Sequence, residues 1–265
     1  MLFTASTYAQ DKPGKAPEIL RQRVNTIDSF FNRFNHTEDH EGNMVPLPEN
    51  ASIAEPFVKE RSQQIVALFD QQSKSYKKEL LDEFLANVNT QAQQQKLDYY
   101  SNQWFAEVQM DILYKQKPQK VTLILQVEET QPKTSRWVIR SAKGDFLTIK
   151  RNATDSSKII PPNSHNTDFI GLPNNLGAPK EVAHFTPKDL NIDPLSIFLY
   201  AAQNGEIEFK QTSHVSFHFL QIDNWIMRVE EYNRTLPNSG WLVAELIKAD
   251  KETKSQYAAK QLNIR

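Results

Sequence analysis

The chain has 265 residues, of which 31 are Lys or Arg and 32 are Asp or Glu, and it contains no Cys. This charge balance argues against a strongly basic nucleic-acid binder, since such a protein needs clustered cations for its phosphate contacts. The lack of Cys excludes disulfides, thiol nucleophiles and Cys-ligated metal sites. No apolar run approaches the roughly 18 residues that a membrane-spanning helix needs.

The first ten residues are small, apolar and uncharged, unlike the charged stretch DKPGKAPE that follows them. Such a shift is typical of the late part of a secretory signal peptide, in which Thr7 and Ala9 would precede the cleavage site. We therefore expect residues 1–10 to be the remnant of a signal peptide and the protein to be exported, to the periplasm or the cell surface. A cytoplasmic protein with an ordinary N-terminus is the alternative.

Residues 17–90 are predicted to be helical, because their apolar residues recur at steps of three and four. The first helix is expected from Pro17 to Phe34 with Val24 on its buried face. The second is expected near 53–72, capped by Ser52, and the third near 76–90. The stretch TQAQQQ (90–95) is interpreted as a low-complexity tail or linker.

Residues 103–150 are predicted to form a first antiparallel meander, because apolar and polar residues alternate along them. Its four strands are expected at 104–114, at 121–127, through Trp137 and at 146–149, with a hairpin turn at 115–119. Residues 151–190, rich in Pro and Asn, are predicted to be a long irregular segment.

The rest of the chain is predicted to contain a helix at 193–204, a second meander at 206–248 and a C-terminal helix at 249–262. Asp193 and Pro194 suit the start of the helix, and Asp223 with Asn224 suits a tight turn between strands. The second meander is expected to have strands near 206–210, 213–222, 224–233 and 240–248. Residues 11–265 are thus expected to form a single α+β domain, in which N-terminal helices pack on a curved, mainly antiparallel sheet built from two meanders.

This order of elements resembles the cone-shaped α+β fold of the nuclear transport factor 2 superfamily. Four stretches resemble an uncharacterised family of exported bacterial proteins: IIPPNSHNTDF (159–169), DPLSIFLYAAQNG (193–205), SFHFLQIDNW (216–225) and NSGWLVAEL (238–246). The superfamily contains isomerases, dehydratases and hydrolases as well as non-catalytic binding modules. The resemblance therefore implies a cone-like fold but assigns no catalytic residue.

The densest cluster of metal-ligand side chains lies at 36–41, where His36 and His40 would share a face if the first helix continued. Imidazole and carboxylate groups suit zinc or nickel. No spacing for a third ligand is recognisable, so a solvated loop is the favoured interpretation, and neither a metal nor another cofactor is expected.

A second cluster lies in the second meander. His214, Ser216 and His218 alternate with apolar residues and share one strand face, and a turn at 223–224 would bring Arg228 and Glu230 beside them. Such a group can bind an anion or transfer protons, because His titrates near neutral pH. The alternative is the hydrated outer face of a sheet, whose polar residues need no function.

Three further residues are candidates for ligand binding. His165 lies in the irregular segment, where binding residues are often found. Trp104 and Trp225 are candidates for the lining of a pocket, whereas core packing accounts for Trp137 and Trp241.

These observations favour a non-catalytic, exported binding or interaction protein that takes a small ligand, a glycan or a protein partner. A homodimer through the exposed face of the sheet is a further option, and no nucleic-acid partner or transmembrane segment is expected. The alternative is a cone-type hydrolase or isomerase that uses His214 and His218 with Arg228.

Overall fold

A computed structural model of the chain describes residues 23–46, 55–90, 93–131, 134–148, 170–177, 182–183, 185–187, 189–235 and 238–264. The signal-peptide remnant at 1–10, the helix start at Pro17, the cap at Ser52 and the candidate His165 lie outside these ranges. Most of the predicted irregular segment at 151–190 also lies outside them.

The helices of the described ranges are α1 (Ile27–Phe34), α2 (Glu55–Ala67), α3 (Lys78–Val88), α4 (Leu172–Leu176), α5 (Pro194–Gln203) and α6 (Lys251–Lys260). The strands are β1 (Asn89–Thr90), β2 (Gln93–Gln94), β3 (Trp104–Tyr114), β4 (Lys117–Gln131), β5 (Thr134–Lys143), β6 (Ile207–Phe219), β7 (Trp225–Tyr232) and β8 (Gly240–Lys248). None of these helices is both long and apolar enough to cross a bilayer.

Two sheets are present in the described part of the chain. β1 and β2 form a short antiparallel hairpin, and the other strands form a six-stranded sheet in the order β5-β4-β3-β6-β7-β8. In this order β3–β5 are one meander and β6–β8 the other, with antiparallel pairing of β6 to β7 and of β7 to β8. The predicted α+β class, with two meanders in an antiparallel sheet, is therefore confirmed.

The chain divides into two compact units. The first comprises Met1–Glu107, Leu125–Val138 and Val215–Arg265, and the second comprises Val108–Ile124 and Ile139–His214. The prediction of a single domain stays a prediction.

The first unit has an aromatic core in which the N-terminal helices pack on the sheet. The ring of Phe30 in α1 stacks on Phe219 of β6 at 5.6 Å, and Phe31 meets the edge of Trp104 in β3 at 4.9 Å. Phe84 of α3 meets Trp225 of β7 at 5.4 Å. Aromatic rings supply large buried areas and favour such edge and offset arrangements, so these contacts fix the helices on this face of the sheet.

Unit two has its own smaller apolar contacts. Its helix α5 begins as predicted, since the Asp193 carboxylate accepts hydrogen bonds from the N–H groups of Leu195 and Ser196. Phe198 of this helix is buried and meets Phe209 of β6 at 6.2 Å. An Asp cap with Pro in the first turn is a local signal, which explains why this helix was predictable from sequence.

The start of α1 differs from the prediction. Val24 is extended rather than helical: its N–H donates to Ser239 O at 3.0 Å, and its carbonyl accepts from Trp241 N at 2.9 Å. The helix begins after Thr26, whose hydroxyl accepts from Ser29 N. Residue 24 thus satisfies backbone groups at the edge of β8, and this need outweighs the helical periodicity.

The Gln-rich stretch also differs from the prediction of a low-complexity tail. It turns back as the β1–β2 hairpin, and Gln95 N donates to Val88 O at 3.1 Å. The side chain of Gln95 accepts a hydrogen bond from Asp223 N at 2.7 Å. Long-range hydrogen bonds order this stretch, and local composition does not reveal them.

Within the meanders, β3 has the predicted bounds and most differences lie at strand ends. The first turn is a two-residue turn at Lys115 and Gln116, which have φ angles of 50° and 63°, rather than the five residues expected. The expected strand at 146–149 is wrong, because Asp145–Leu147 form a 3-10 helix. The two strands expected at 206–210 and 213–222 are one continuous strand, β6.

Candidate functional site

A cavity of about 840 Å³ lies in the first unit. Its lining comes from residues within 24–45, from residues within 60–72, and from Arg234 and Asn238, which precede β8. Its polar lining includes Arg33, His36, Asp39, His40, Glu60 and Arg234. The predicted metal-ligand cluster at 36–41 therefore borders a cavity rather than lying in an open loop.

His36 has a backbone conformation that usually requires Gly. Asn35 is the C-cap of α1, and His36 follows it with a φ of 58°. His36 N donates to Arg33 O at 3.2 Å, and Thr37 N donates to Asn32 O at 2.8 Å. These two bonds define a Schellman motif, in which Gly commonly occupies the left-handed position. Residues with a Cβ are uncommon there, and His enters this region more often than most of them.

The imidazole of His36 is buried, with a relative exposure of 2%, and it is only half satisfied. Nδ1 lies 2.6 Å from Gln64 Oε1, and the ring meets Phe57 edge-on at 4.4 Å. Because Oε1 only accepts, Nδ1 donates to it, and Nε2 is an acceptor wherever it carries no proton. Nε2 has no hydrogen-bond partner among the described residues, and Glu60 Oε2 lies 3.9 Å from it.

The two Arg side chains of the described lining each form an ion pair with a carboxylate. Arg33 Nε donates to Glu38 Oε1 at 3.2 Å, and Arg234 Nη2 donates to Asp70 Oδ1 at 2.7 Å. Arg234 also binds Asn238, whose side chain donates to the carbonyls of residues 67 and 69 and so joins this turn to the end of α2. The arginines therefore hold the walls of the cavity in place.

Two carboxylates of the described lining, those of Asp39 and Glu60, have no Lys or Arg beside them. Asp39 accepts hydrogen bonds from the N–H groups of Glu41 and Asn43, both at 2.8 Å, and Glu60 has a side chain that is 65% exposed. In the described part of the chain neither forms an ion pair with Lys or Arg. The cavity therefore presents an excess of acceptors and of negative charge.

His40 does not join His36 in a metal site. Its side chain is 62% exposed and its Nε2 lies 4.0 Å from Glu41 Oε1. No group of three or more His, Asp or Glu among the described residues could hold a metal ion. The expectation of a solvated loop is nevertheless wrong for His36 and Glu38, which are both buried.

The second predicted cluster is partly assembled in the first unit. His218 lies opposite Arg228, and Ser216 opposite Glu230, in the β6–β7 register. His218 Nδ1 is 2.8 Å from the Tyr257 hydroxyl of α6, and its Nε2 is 3.6 Å from Glu107 Oε2.

The remaining members of this cluster are also engaged. Arg228 pairs with Glu230 and, at 2.9 Å, with Glu245. Burial, followed by the charge of Glu245, raises the pKa of the Tyr257 hydroxyl, so this group stays a neutral hydrogen-bonding partner.

The interpretation of this row as a hydrated sheet face is wrong for Ser216 and His218, which are each 3% exposed. The side chains of this cluster come from β3, β6, β7, β8 and α6, and they form hydrogen bonds and ion pairs with one another. His214 belongs to the second unit and is half-buried.

The candidate Trp residues lie in the aromatic core. Trp104 and Trp225 are 3% and 1% exposed, and the indole N–H groups donate to Tyr99 O and Asn87 Oδ1. Neither is among the described residues that line the cavity. Trp137, expected in the core, is instead 41% exposed.

Sequence reasoning missed three residues of this region: Arg61, Gln64 and Glu60. Arg61 is fully buried, and its guanidinium donates to Phe34 O, Val88 O and Gln95 O at the ends of α1, α3 and β2. An Arg in a polar helix sequence gives no signal of burial. His36 was singled out in the sequence as part of the cluster at 36–41, but its burial beside Gln64 and Glu60 was not predicted, because those residues come from a different helix.

The fold and this geometry define an α+β protein with an antiparallel sheet and a cavity that has charged and polar side chains in its lining. Comparisons of the chain with protein-family models, with curated proteins and with solved structures find no match. The residues of the cavity and of the His218 cluster are therefore the basis for assigning a function to the chain.

Proposed function

We propose that this protein is a non-catalytic binding protein and that its ligand site is the cavity beside His36. The observation that carries the proposal is the buried Nε2 of His36, which lacks a hydrogen-bond partner among the described residues. Unsatisfied buried polar groups are rare and call for an explanation. A ligand that donates to Nε2 supplies one.

The size of the cavity supports a small molecule among the ligand classes considered. Small-molecule sites measure roughly 300 to 1,000 Å³, and this one measures about 840 Å³. A large macromolecular interface usually needs a broader surface, of roughly 800 Å² per partner. A glycan fragment and a short segment of a protein partner remain outcomes of the test.

The alternative, a hydrolase or isomerase that uses His214 and His218 with Arg228, has less support. An active site needs reacting groups that substrate can reach. His218 is 3% exposed and engaged by Tyr257 and Glu107, and Arg228 is engaged by two carboxylates. A buried, satisfied polar network of this kind favours a role in specifying the fold.

A screen of small polar molecules tests the proposal. The full chain, labelled with ¹⁵N, is titrated with a library of sugars, amines, carboxylates and amides. Ligands of the site are expected to shift the resonances of His36 and Gln64 saturably. Shifts confined to other regions, or no shifts at all, would contradict the proposal.

A pair of matched variants separates the cavity from the rest of the surface. Ala67 is exposed and lines the cavity at the end of α2, so Ala67→Trp should obstruct it without entering the core. Ala86→Trp places the same ring on an exposed position of α3 outside the lining. Only Ala67→Trp is expected to abolish binding, and equal effects of both variants would argue against the cavity as the site.

We also propose that the protein is exported and related in fold to the nuclear transport factor 2 superfamily. The composition shift after residue 10 and the order of the elements support these two proposals. Fractionation of the native host, with the upstream reading frame retained, tests the first. Recovery of the protein from the cytoplasm alone would contradict export.

A further inference from the structure

We infer that the ligand of the His36 cavity is a small organic cation, and that its protonated amine lies between His36 Nε2 and the Glu60 carboxylate. This inference rests on the proposed function, because it names the chemistry of the ligand for the same cavity.

The hydrogen-bond chemistry of the two groups supports a donor. The contact of Nδ1 with Gln64 Oε1 places the proton of the ring on Nδ1 and makes Nε2 the acceptor, and a carboxylate without a proton only accepts. The two acceptors lie 3.9 Å apart. An ammonium group carries three N–H donors and can satisfy both acceptors at once, whereas an anion or an ether can satisfy neither.

The charge of the lining supports a cation. Arg33 and Arg234 are neutralised by Glu38 and Asp70, so the unneutralised charges of the described lining are the carboxylates of Asp39 and Glu60. Hydrogen bonds between an ionised donor and an ionised acceptor are about twice as strong as neutral ones. A neutral alcohol fits the same acceptors but gains less from these charges.

Access to Nε2 requires one movement. The Nε2 atom is covered in this structure, and the Glu60 side chain beside it is 65% exposed. An exposed Glu side chain changes rotamer within nanoseconds. We infer that rotation of Glu60 admits the amine to the position beside the two acceptors while α2 and the His36 turn stay in place.

Three probes of equal carbon length test the charge and the donor separately. They are 1,4-diaminobutane, 1,4-butanediol and succinate, each titrated into the ¹⁵N-labelled full chain while the Nε2 resonance of His36 is followed. The diamine is expected to shift this resonance saturably, the diol to bind at least about tenfold more weakly, and succinate not to bind, since only the diamine brings a positive charge to the carboxylate.

Two variants on one helix locate the effect. Glu60→Gln removes the charge beside Nε2 and is expected to weaken diamine binding by about tenfold or more. Glu55→Gln removes a charge from the first residue of the same helix, outside the lining, and should leave the affinity unchanged.

The outcomes distinguish the two proposals. Tighter binding of the diol or succinate at the cavity, or equal binding of the diamine to the wild type and to Glu60→Gln, would overturn the cation and leave the binding function standing. Failure of the three probes together with the whole library to bind at the cavity would overturn both.

Discussion

At the scale of single residues, the left-handed backbone conformation is adopted by glycines at some positions and by a residue with a full side chain at His36. Gly42, Gly205 and Gly240 have φ angles of 89°, 70° and 86°, which suits a residue without a Cβ. His36 occupies the same region with a full side chain at the end of α1. Backbone geometry explains the glycines, whereas the role of the His36 ring in the cavity is a proposal that the experiments on the cavity test.

Gly240 and Gly42 form a matched pair for a stability test. A Cβ at Gly240 would lie 2.1 Å from the carbonyl oxygen of Val24, whereas a Cβ at Gly42 would meet nothing within 4 Å. Gly42→Ala is expected to lose only the left-handed strain, about 1 to 2 kcal/mol. Gly240→Ala should lose more by at least about 1 kcal/mol, because backbone atoms must move. Urea denaturation measures both, and equal losses would contradict the close approach of Val24.

Arg61 is expected to be among the most sensitive residues for folding. Its buried guanidinium donates to carbonyls at the ends of α1, α3 and β2, and burial lowers its pKa to about 10, which still leaves it charged at neutral pH. Arg61→Ala should reduce the free energy of unfolding by at least about 3 kcal/mol, because several buried acceptors lose their donors. Arg136, which pairs with Glu128 on the surface, is the control.

Arg136→Ala should change the free energy of unfolding by less than about 1 kcal/mol, because exposed ion pairs contribute little. Denaturation curves followed by circular dichroism give both values. A loss at Arg61 no larger than that at Arg136 would show that the helix ends do not depend on the guanidinium.

At the scale of elements, α6 is held on the sheet by polar contacts. It has no fully buried residue, and its Lys254 ammonium donates to Leu220 O and Ile222 O. Tyr257 adds its hydrogen bond to His218. A helix attached in this way depends on a few specific bonds rather than on an apolar stripe.

Tyr257→Phe tests that dependence by removing one hydroxyl. The free energy of unfolding should fall by about 1 to 2 kcal/mol, because His218 Nδ1 loses its partner in a buried site. Tyr200→Phe removes a hydroxyl from a side chain that is 67% exposed and should stay within about 0.5 kcal/mol of the wild type. Thermal and urea unfolding measure the two variants, and an unchanged Tyr257→Phe would mean that the contact is not stabilising.

The sequence could predict those elements whose signals are local. β3 follows from strict alternation, and α5 follows from the Asp193 cap. The start of α1 and the ordered structure of the Gln-rich stretch could not be predicted. Val24 pairs with Gly240 at the start of β8, and Gln95 accepts a hydrogen bond from Asp223 between β6 and β7. These bonds join residues far apart in sequence, which periodicity does not report.

At the scale of the whole molecule, several half-buried Tyr side chains are expected to make the protein sensitive to alkali. Burial, with the charge of Asp70, raises the pKa of Tyr76 to about 12, and burial also raises the pKa values of Tyr99, Tyr232 and Tyr257. An unfolded Tyr has a pKa of about 10. A raised folded pKa contributes stability that is complete below pH 10 and is lost as pH rises through the folded value.

Absorbance at 295 nm tests this alkaline behaviour. At pH 11 the folded protein should contain fewer ionised Tyr side chains than the same protein in concentrated urea. The urea concentration at the midpoint of unfolding should decrease as the pH is raised from about 9.5 to about 11.5. Superimposable titrations of the folded and unfolded chains would show that the phenols are not protected from ionisation.

The α+β fold class could be predicted from the sequence, whereas the cavity could not. Periodicity predicted helices on a sheet of two meanders. The cavity is formed by residues 24–45, residues 60–72 and residues 234 and 238, which only the folded chain brings together. Of the site residues predicted, His36 and His40 border this cavity, while His218, Arg228 and Glu230 form a separate buried network.

The proposed site depends on His36 Nε2 being a hydrogen-bond acceptor for the ligand. The tautomer of this imidazole ring is the most direct test. Long-range ¹H–¹⁵N correlation spectra of the full chain at pH 8, assigned with His36→Gln, report which ring nitrogen carries the proton. The account predicts a neutral ring protonated at Nδ1, with an unprotonated Nε2 that shifts when an amine binds. A proton on Nε2, in either a neutral or a charged ring, would contradict the account.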